Sequence, residues 1–285
     1  MNQSIDGRGV PGRIVCLTEE TVEALYGMGA GDKIVGVSGY AVRPPEVREK
    51  PKVSAYTNAS FDRIDALAPD LVLTWSDLQG DITAELMKRG HEVIGFNHRS
   101  VAGILDMIAR LGRIVDRTEQ SLSLVDQLNR NLDAARARAT RLPARPRVFF
   151  EEWDEPMISG ICWVSELIEI AGGIETFPEL RGAGLARERI IDPGEARARC
   201  PDLILVSWCG KRVDLESIRA RDGWADLPAI ARDQIFELDP SIILQPGPAA
   251  LGDGLGAISQ AIESAAQAMV NDPGCQRGSD PDNAS

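Results

Sequence analysis

Four carboxylates surround a tryptophan in the segment 151–155, which follows a predicted strand. Two carboxylates on either side of a substrate are the acid and the base of glycosidases. Successive side chains of an extended chain point to opposite sides, so Glu151 and Glu152 cannot act as one pair. Three interpretations stay open: an enzyme that uses Glu151, Glu152 or Asp154 as acid or base, a solvated acidic loop, and a loop that contacts a ligand. In the third, Trp153 stacks on the ligand and Glu152 accepts its hydrogen bonds.

Aromatic residues make up only 5% of the chain, yet most of its tyrosines and tryptophans fall in predicted loops or at the ends of predicted elements. They are Tyr40, Tyr56, Trp75, Trp153, Trp163 and Trp208. If these side chains line one cleft, the site suits a large, flat and partly apolar ligand. The alternative is that each of them packs locally, which we expect of Trp224 because it lies in a helical pattern.

The motifs of several enzyme and cofactor classes are absent from the sequence. Gly27, Gly29 and Gly31 have neither the spacing nor the context of a dinucleotide-binding loop. No P-loop, Gly-x-Ser-x-Gly motif or zinc-type cysteine spacing occurs. His91 and His98 are the two histidines, which disfavours an imidazole-rich metal site. We therefore expect no covalently bound cofactor and no resident metal.

The chain of 285 residues carries a formal net charge of −12. This charge disfavours nucleic acid and anionic membranes as partners but permits docking to a basic protein. The five cysteines are scattered without a Cys-x-x-Cys spacing, which favours reduced thiols in a cytoplasm. No export signal is visible, and no apolar run approaches the roughly 20 residues of a membrane span. The sequence as written predicts a cytoplasmic protein without membrane insertion, or a periplasmic one if its signal is missing.

Predicted strands alternate with predicted helices on both sides of residues 100–143, which indicates a mostly parallel α/β sheet in each half. The halves share a pattern at 68–75 and 200–208, in which a short helix ends before Pro-Asp and an apolar strand leads to Trp. The alternative is that Pro-Asp commonly occurs between a helix and the strand that follows it, without any relation between the halves. Because ligands of open α/β sheets bind beyond the carboxyl ends of the strands, two facing lobes would place Trp75 and Trp208 at the walls of one cleft.

The stretch between the halves is predicted to be helical, with a short helix near 101–113 and a long one near 117–141. Residues 116–119 have the pattern of a capping box, and apolar residues recur every three or four positions over 122–139. At about 1.5 Å per residue, the long helix can lie across both lobes. We predict an amino-terminal α/β lobe at 12–99, a helical linker at 100–143, a carboxy-terminal α/β lobe at 144–270 and a disordered tail at 271–285.

Several motifs, taken in order, resemble the helical-backbone class of ABC-transporter substrate-binding proteins, most closely the members that bind cobalamin. The resemblance extends over residues 12–268 and rests on order and spacing rather than on any single motif. The motifs are Val35-Gly36-Val37-Ser38-Gly39-Tyr40 with Pro44-Pro45, Ala68-Pro69-Asp70-Leu71-Val72 with Trp75, Arg147-Val148-Phe149-Phe150, Ile158-Ser159-Gly160, and Glu166-Leu167-Ile168-Glu169-Ile170-Ala171-Gly172-Gly173.

The resemblance implies two Rossmann-like lobes bridged by one long helix, a ligand cleft between the lobes and no catalysis. It also implies that aromatic side chains contact a corrin ring from both lobes, namely Tyr40, Tyr56, Trp75, Trp153 and Trp163. In this family a carboxylate on each lobe docks to the permease of the transporter, and the matching positions are nearest to Asp81 and Glu195.

We therefore predict a non-enzymatic protein that holds a cobalamin-like corrinoid as its ligand. The first alternative is an iron-siderophore or haem carrier of the same fold. The second is a cytoplasmic enzyme that reuses the fold, with Glu151, Glu152 or Asp154 as acid or base.

Overall fold

The computed structural model describes residues 9–272. Its strands are β1 (Ile14–Cys16), β2 (Ile34–Ser38), β3 (Lys52–Ala55), β4 (Asn58–Ala59), β5 (Leu71–Trp75), β6 (Val93–Phe96), β7 (Arg147–Asp154), β8 (Met157–Ser159), β9 (Ile174–Glu175), β10 (Leu203–Val206) and β11 (Ile235–Glu237). The strands form two separate sheets, so the predicted architecture of two α/β lobes is confirmed.

The helices are α1 (Glu19–Gly27), α2 (Phe61–Leu67), α3 (Gly80–Lys88), α4 (Val101–Ile114), α5 (Thr118–Ala139), α6 (Cys162–Ile170), α7 (Pro193–Ala198), α8 (Leu215–Arg219), α9 (Pro228–Ala231), α10 (Pro240–Ile243) and α11 (Leu255–Asn271). A π-helical turn at Ala250–Gly254 leads into α11. None of the helices within residues 9–272 is long and apolar enough to span a bilayer. Of the predicted disordered tail, Asn271 ends α11, and residues 273–285 lie outside the described part of the chain.

The first lobe is built on a six-stranded sheet in the order β4-β3-β2-β1-β5-β6. All neighbouring strands are parallel except β3 and β4, which pair antiparallel at one edge. The segment 39–58, with Pro44, Pro45 and Pro51, is predicted from the sequence to be a loop, and this prediction is wrong because the segment contains β3 and the start of β4. Lys52 and Ser54 interrupt the apolar pattern of β3, and both are partly buried with side chains that donate to backbone carbonyls.

The second lobe is built on β11-β10-β7-β8, with β9 paired beside β7. β8 runs antiparallel to β7, while β9 and β10 run parallel to it. β7 continues through Asp154, past its predicted end at Phe150, because β8 pairs with the extension. The segment 151–154 is therefore a strand of a hairpin rather than the loop that the sequence predicted.

The two Pro-Asp units have the same local structure in both lobes. The residue before each proline adopts a left-handed backbone conformation, with φ of 43° at Ala68 and 48° at Cys200. The carboxylate of Asp70 then accepts the amide of Arg13 at 2.9 Å, and that of Asp202 accepts the amide of Arg147 at 3.0 Å. Each Asp thus fixes the start of the neighbouring central strand, and the shared sequence pattern has the same local structure in both lobes.

The predicted long helix is confirmed as α5, whose 22 residues run about 33 Å at about 1.5 Å per residue. Leu128, Leu132 and Ala135 on α5 belong to one apolar cluster that continues into both lobes. Leu122 is 45% exposed and does not belong to the buried stripe. Near the start of α5, the side chain of Ser121 packs against Gly112 of α4. The approach is so close that a Cβ added to Gly112 would clash with the Ser121 side chain. This close approach fixes the rotation of α5.

The predicted capping box at 116–119 is wrong. Arg117, rather than Asp116, occupies the N-cap of α5, and the Arg117 side chain makes no capping hydrogen bond. Asp116 adopts a positive φ of 57°, and the Arg117 amide donates to the carbonyl of Gly112 at 2.7 Å. This is the hydrogen-bond pattern that ends a helix, so the turn terminates α4 rather than capping α5.

Candidate ligand-binding cleft

The carboxyl ends of the strands of both lobes face a common space. Glu19 follows β1 and Tyr40 follows β2, while Cys209 follows β10 and Asp239 follows β11. These four residues line one cavity of about 170 Å³. Because the first two belong to the first lobe and the other two to the second, the cleft lies between the lobes, as expected for sheets of this type.

Aromatic rings from both lobes pack together at the cleft. The Trp75 ring lies 6.3 Å from that of Tyr56 and 6.2 Å from that of Trp163, measured between centroids. The indole of Trp75 donates to the carbonyl of His98 at 3.1 Å, and that of Trp163 to the carbonyl of Ile243 at 2.8 Å. Trp75 is 6% exposed and Trp163 is 1% exposed, whereas Tyr56 is half-buried. The two tryptophans thus join the lobes, and neither lines the 170 Å³ cavity.

The second lobe presents Trp153 beside a second, buried indole. Trp153 is half-buried, and its indole nitrogen donates to the carbonyl of Glu155 at 3.0 Å. Trp208 is 1% exposed, and its indole nitrogen donates to Glu151 at 3.2 Å. The ammonium of Lys211 lies 5.4 Å from the Trp153 ring and 4.8 Å from the Trp208 ring. Trp153 keeps an accessible face, and Trp208 packs behind it.

Each carboxylate that the sequence offered for acid–base chemistry has a basic partner. The pairs are Glu151 with Arg221, Glu152 with Arg189, and Asp154 with Lys211. Arg189 is 1% exposed and binds both oxygens of Glu152, at 2.6 and 2.9 Å. Burial raises the pKa of Glu151, although the Arg221 guanidinium opposes this effect. Arg189 and Arg221 are far from the acidic segment in sequence, so no local pattern pointed to them.

The sequence analysis missed a group of carboxylates on α1, directly after β1. Glu20 is fully buried, and the Thr18 hydroxyl donates to its Oε1 at 2.5 Å. Its Oε2 has no hydrogen-bond partner among residues 9–272. Burial raises the pKa of Glu20 to about 8 and that of Glu23 to about 7, and it also raises the pKa of Glu19. The available signal was an acidic pair following a buried strand, as at 151–152.

Glu23 links α1 to the second lobe. Its carboxylate accepts the backbone amide of Ala249 at 2.9 Å and pairs with Arg43 at 3.2 Å. Arg43 also pairs with Asp253 of the second lobe at 2.5 Å. Glu23 and Arg43 line both the 170 Å³ cavity and a larger cavity of about 870 Å³ beside α5. This charge network therefore separates two cavities and holds the lobes together.

The two positions considered for docking lie on the surface of different lobes. Asp81 is exposed in the first turn of α3. Glu195 is exposed in the first turn of α7 and pairs with Arg199 at 2.8 Å. Within residues 9–272, no group of three or more His, Cys, Asp and Glu side chains could hold a metal ion. Cys16, Cys162, Cys200 and Cys209 are free thiols, and Cys275 lies outside the described residues.

The two-lobed cleft matches a known family. Residues 14–242 match the family described as periplasmic binding protein. The chain belongs to this family. It is a family of non-enzymatic substrate-binding proteins of ABC transporters, which bind a ligand and deliver it to a permease. The interpretation of Glu151, Glu152 or Asp154 as an enzymatic acid or base is thereby overturned.

Two vitamin B12-binding proteins of Vibrio vulnificus are similar to this binding protein. The protein of strain YJ016 is 30% identical over 170 residues, which are 58% of this chain and 61% of the relative. The protein of strain CMCP6 is 26% identical over 248 residues, which are 84% of this chain and 86% of the relative. The first alignment thus spans less than two thirds of its relative, and the second spans most of both chains.

Solved structures of the same fold have different ligands in their names. The periplasmic vitamin B12 binding protein BtuF of Vibrio cholerae has a TM-score of 0.73 at 22% identity, covering 90% of this chain and 98% of that one. The periplasmic heme-binding protein RhuT of Roseiflexus sp. RS-1 has a TM-score of 0.77 at 25% identity, covering 90% and 99%. Both are periplasmic by name, which gives no support to the cytoplasmic location expected from the sequence.

Proposed function

We propose that this binding protein holds a cobalamin-like corrinoid in the cleft and delivers it to an ABC permease. The main support for the proposal is that each lobe has aromatic rings with accessible faces. Tyr40 is 51% exposed and Tyr56 is half-buried in the first lobe, and Trp153 is half-buried in the second. A flat macrocycle between them would bury roughly 100 Å² on each ring, which stabilises the complex by about 2.5 kcal/mol per contact at about 25 cal/mol per Å².

The buried aromatic residues have a supporting role in this proposal. Trp75 and Trp163 join the two lobes, and Trp208 packs in the apolar cluster that Trp153 also contacts. Glu152 holds the β7 hairpin through its two hydrogen bonds to Arg189. These residues position the surface that the ligand contacts.

The charges around the cleft favour a ligand without carboxylates. Five cationic side chains of this region are paired with carboxylates, namely Arg43 with Glu23 and Asp253, Arg99 with Asp77, Arg189 with Glu152, Lys211 with Asp154, and Arg221 with Glu151, while Lys52 donates to the carbonyls of Ala41 and Val47. Haem carries two propionates, and many ferric siderophores are anionic, so both need cations that are not already neutralised. The rim of a corrinoid carries neutral amides, which suit this arrangement.

A haem carrier is the second candidate. It is supported by the similarity to the heme-binding protein RhuT and by the exposure of Tyr40, because a tyrosine oxygen can be an axial ligand of haem iron. The paired cations described above weigh against it.

Calorimetric titration of cobalamin, cobinamide, haem and a ferric siderophore into the protein tests the proposal. We expect both corrinoids to bind with a stoichiometry of one per chain and to bind more tightly than the iron ligands. Binding of haem alone would establish the second candidate, and no binding of either corrinoid would contradict the proposed function.

Delivery to the permease is assigned to the exposed carboxylates of Asp81 and Glu195, one on each lobe. Reversal of these charges in D81R and E195R should leave corrinoid affinity unchanged, because neither residue belongs to the proposed aromatic surface or to the lining of the cleft cavity. Corrinoid uptake by cells that depend on this protein should fall in each variant. Unchanged uptake in the double variant would contradict the docking role.

A further inference from the structure

An unpaired strand edge borders the hairpin of β7 and β8 in the second lobe. The Ser159 amide donates to the carbonyl of Arg189 at 3.0 Å, and the Ile191 amide donates to the carbonyl of Met157 at the same distance. In this antiparallel pattern the residue between the two bonded ones, Ile190, directs its own N–H and C=O away from β8. Neither group has a backbone hydrogen-bond partner among residues 9–272. The sheet therefore ends here with an unpaired donor and an unpaired acceptor.

This edge is fixed by the residue that precedes Ile190. Arg189 is fully buried, and its guanidinium donates to both oxygens of Glu152 and to the carbonyl of Ser159. Ile190 itself is 48% exposed. The unpaired edge is therefore both held in place and accessible from outside.

The edge borders a groove of about 690 Å³. Five apolar residues contribute to the lining of this groove: Pro156, Met157, Ile190, Ile191 and Pro193. Pro156, Ile190 and Pro193 are exposed. An extended peptide can add to such an edge as a further strand, in which backbone hydrogen bonds provide affinity and the adjacent side chains provide specificity.

The charge of the groove indicates what such a peptide should carry. Asp154, Glu155 and Asp192 line the groove, and Arg221 is the one cation in its lining among the described residues. Arg221 is bound to the buried Glu151 at 2.8 Å, so it does not neutralise the groove. Glu155 is exposed and makes no ion pair within residues 9–272, and Asp154, which pairs with a lysine through Oδ2, has no hydrogen-bond partner for its Oδ1 there. The complementary segment has a Lys or Arg beside an apolar side chain.

The groove continues to the position assigned above to permease docking. Asp154 ends β7, and Pro193 begins α7, whose first turn carries Glu195. Because α7 leads back to the start of β10, which is parallel to β7, the end of β7 and the start of α7 both lie at the carboxyl edge of the sheet, where the cleft is. We propose that the groove docks an extended segment of the permease, which pairs with the backbone of Ile190 and places a Lys or Arg among the carboxylates. The inference rests on delivery to a permease in the proposed function.

Site-specific cross-linking in intact cells tests the proposal. In the organism that carries the gene, Ile190 is replaced by the photoreactive amino acid p-benzoylphenylalanine, and the adduct formed on irradiation is identified by mass spectrometry. Leu122 on α5 is 45% exposed and outside the groove, so the same replacement there is the control. We expect position 190 to cross-link to the transmembrane subunit of an ABC transporter, at a segment that contains Lys or Arg, at least tenfold more strongly than position 122. An adduct with a second copy of this chain, no adduct, or equal adducts from both positions would overturn the proposal.

Variants at the same position measure what the groove contributes to transport. I190R removes the apolar side chain and sets a cation against the cation of the partner, so corrinoid uptake should fall at least fivefold, while I190V and the control L122R should retain it. I190R should bind corrinoid as tightly as the wild type, because Ile190 belongs neither to the proposed aromatic surface nor to the lining of the cleft cavity. Full uptake by I190R would contradict the docking role.

The cross-link also separates the groove from the proposed ligand. A cross-link to the permease from a protein that binds no corrinoid would overturn the ligand and keep the groove. Corrinoid binding and uptake without a cross-link at position 190 would overturn the groove and keep the proposed function.

Discussion

The indole rings of Trp75 and Trp163 lie 6.2 Å apart in an edge-to-face arrangement and join the two lobes. Each indole nitrogen donates to a carbonyl of its own lobe, so both rings are fixed in orientation. Edge-to-face pairs contribute about 0.5–1.5 kcal/mol beyond the surface that they bury.

We expect W163A to lower the free energy of unfolding by about 3–5 kcal/mol, because it removes a fully buried indole and leaves a cavity. Denaturant unfolding followed by circular dichroism measures the change. W163F, which retains an aromatic ring but cannot donate to the Ile243 carbonyl, should lose less stability. A loss below about 1 kcal/mol in W163A would contradict the role of this contact in joining the lobes.

Ligand contact and packing can be separated with tryptophans on the second lobe. W153A should weaken cobinamide binding by roughly 30- to 150-fold, since the loss of about 2–3 kcal/mol of contact corresponds to that ratio. Trp224 is 1% exposed and packs against Phe149 at 6.3 Å between ring centroids. W224A should therefore lower stability while the folded protein keeps its affinity. Calorimetry on both variants checks this, and equal affinity of W153A and the wild type would contradict the aromatic cleft.

The buried ion pair between Arg189 and Glu152 should be important for stability. R189M leaves the Glu152 carboxylate with neither of its two hydrogen bonds from Arg189, and breaking such a pair costs about 3–5 kcal/mol. R136M removes an exposed pair with Asp133 and should cost less than about 1 kcal/mol. Urea unfolding of the two variants compares them directly. Similar losses in both would show that burial of Arg189 does not strengthen its effect.

Local patterns in the sequence predicted the elements of the fold that extend over several residues. The apolar repeat of α5 and the Pro-Asp units at Asp70 and Asp202 are local signals, and each has its expected structure. β4 and β9 have two residues each, too few to show any periodicity. The extension of β7 over 151–154 depends on its pairing with β8. The residues 151–154 alone do not predict this pairing.

The site was less predictable because contacts between distant segments determine burial. The positions of Trp163 and Trp208 near strand or helix ends suggested accessible rings, yet both are covered by packing. Tyr40, Tyr56 and Trp153 have accessible rings and stay predicted ligand contacts, since their residue type alone suggested that role. Glu20 was missed because its burial depends on Gly247, a residue of the other lobe.

The raised pKa of Glu20 predicts that stability falls as pH rises. The carboxyl has a pKa of about 8 in the folded protein, against the ordinary value of 4.5 for a glutamate carboxyl. Between these two values the folded state binds more protons than the unfolded state, so this group favours folding below about pH 4.5 and loses that contribution as pH approaches 8. The slope is at most about 1.4 kcal/mol per pH unit for one proton.

We expect E20Q to lose less stability than the wild type between pH 5 and pH 8.5, because glutamine cannot ionise. The remaining slope of E20Q reports Glu19 and Glu23, whose pKa values are also raised by burial. E92Q, at an exposed position, provides the control and should follow the wild type. Urea unfolding at four pH values across the range measures the slopes. Parallel pH profiles for E20Q and the wild type would show that Glu20 titrates normally, and that its buried oxygen has a donor in solution.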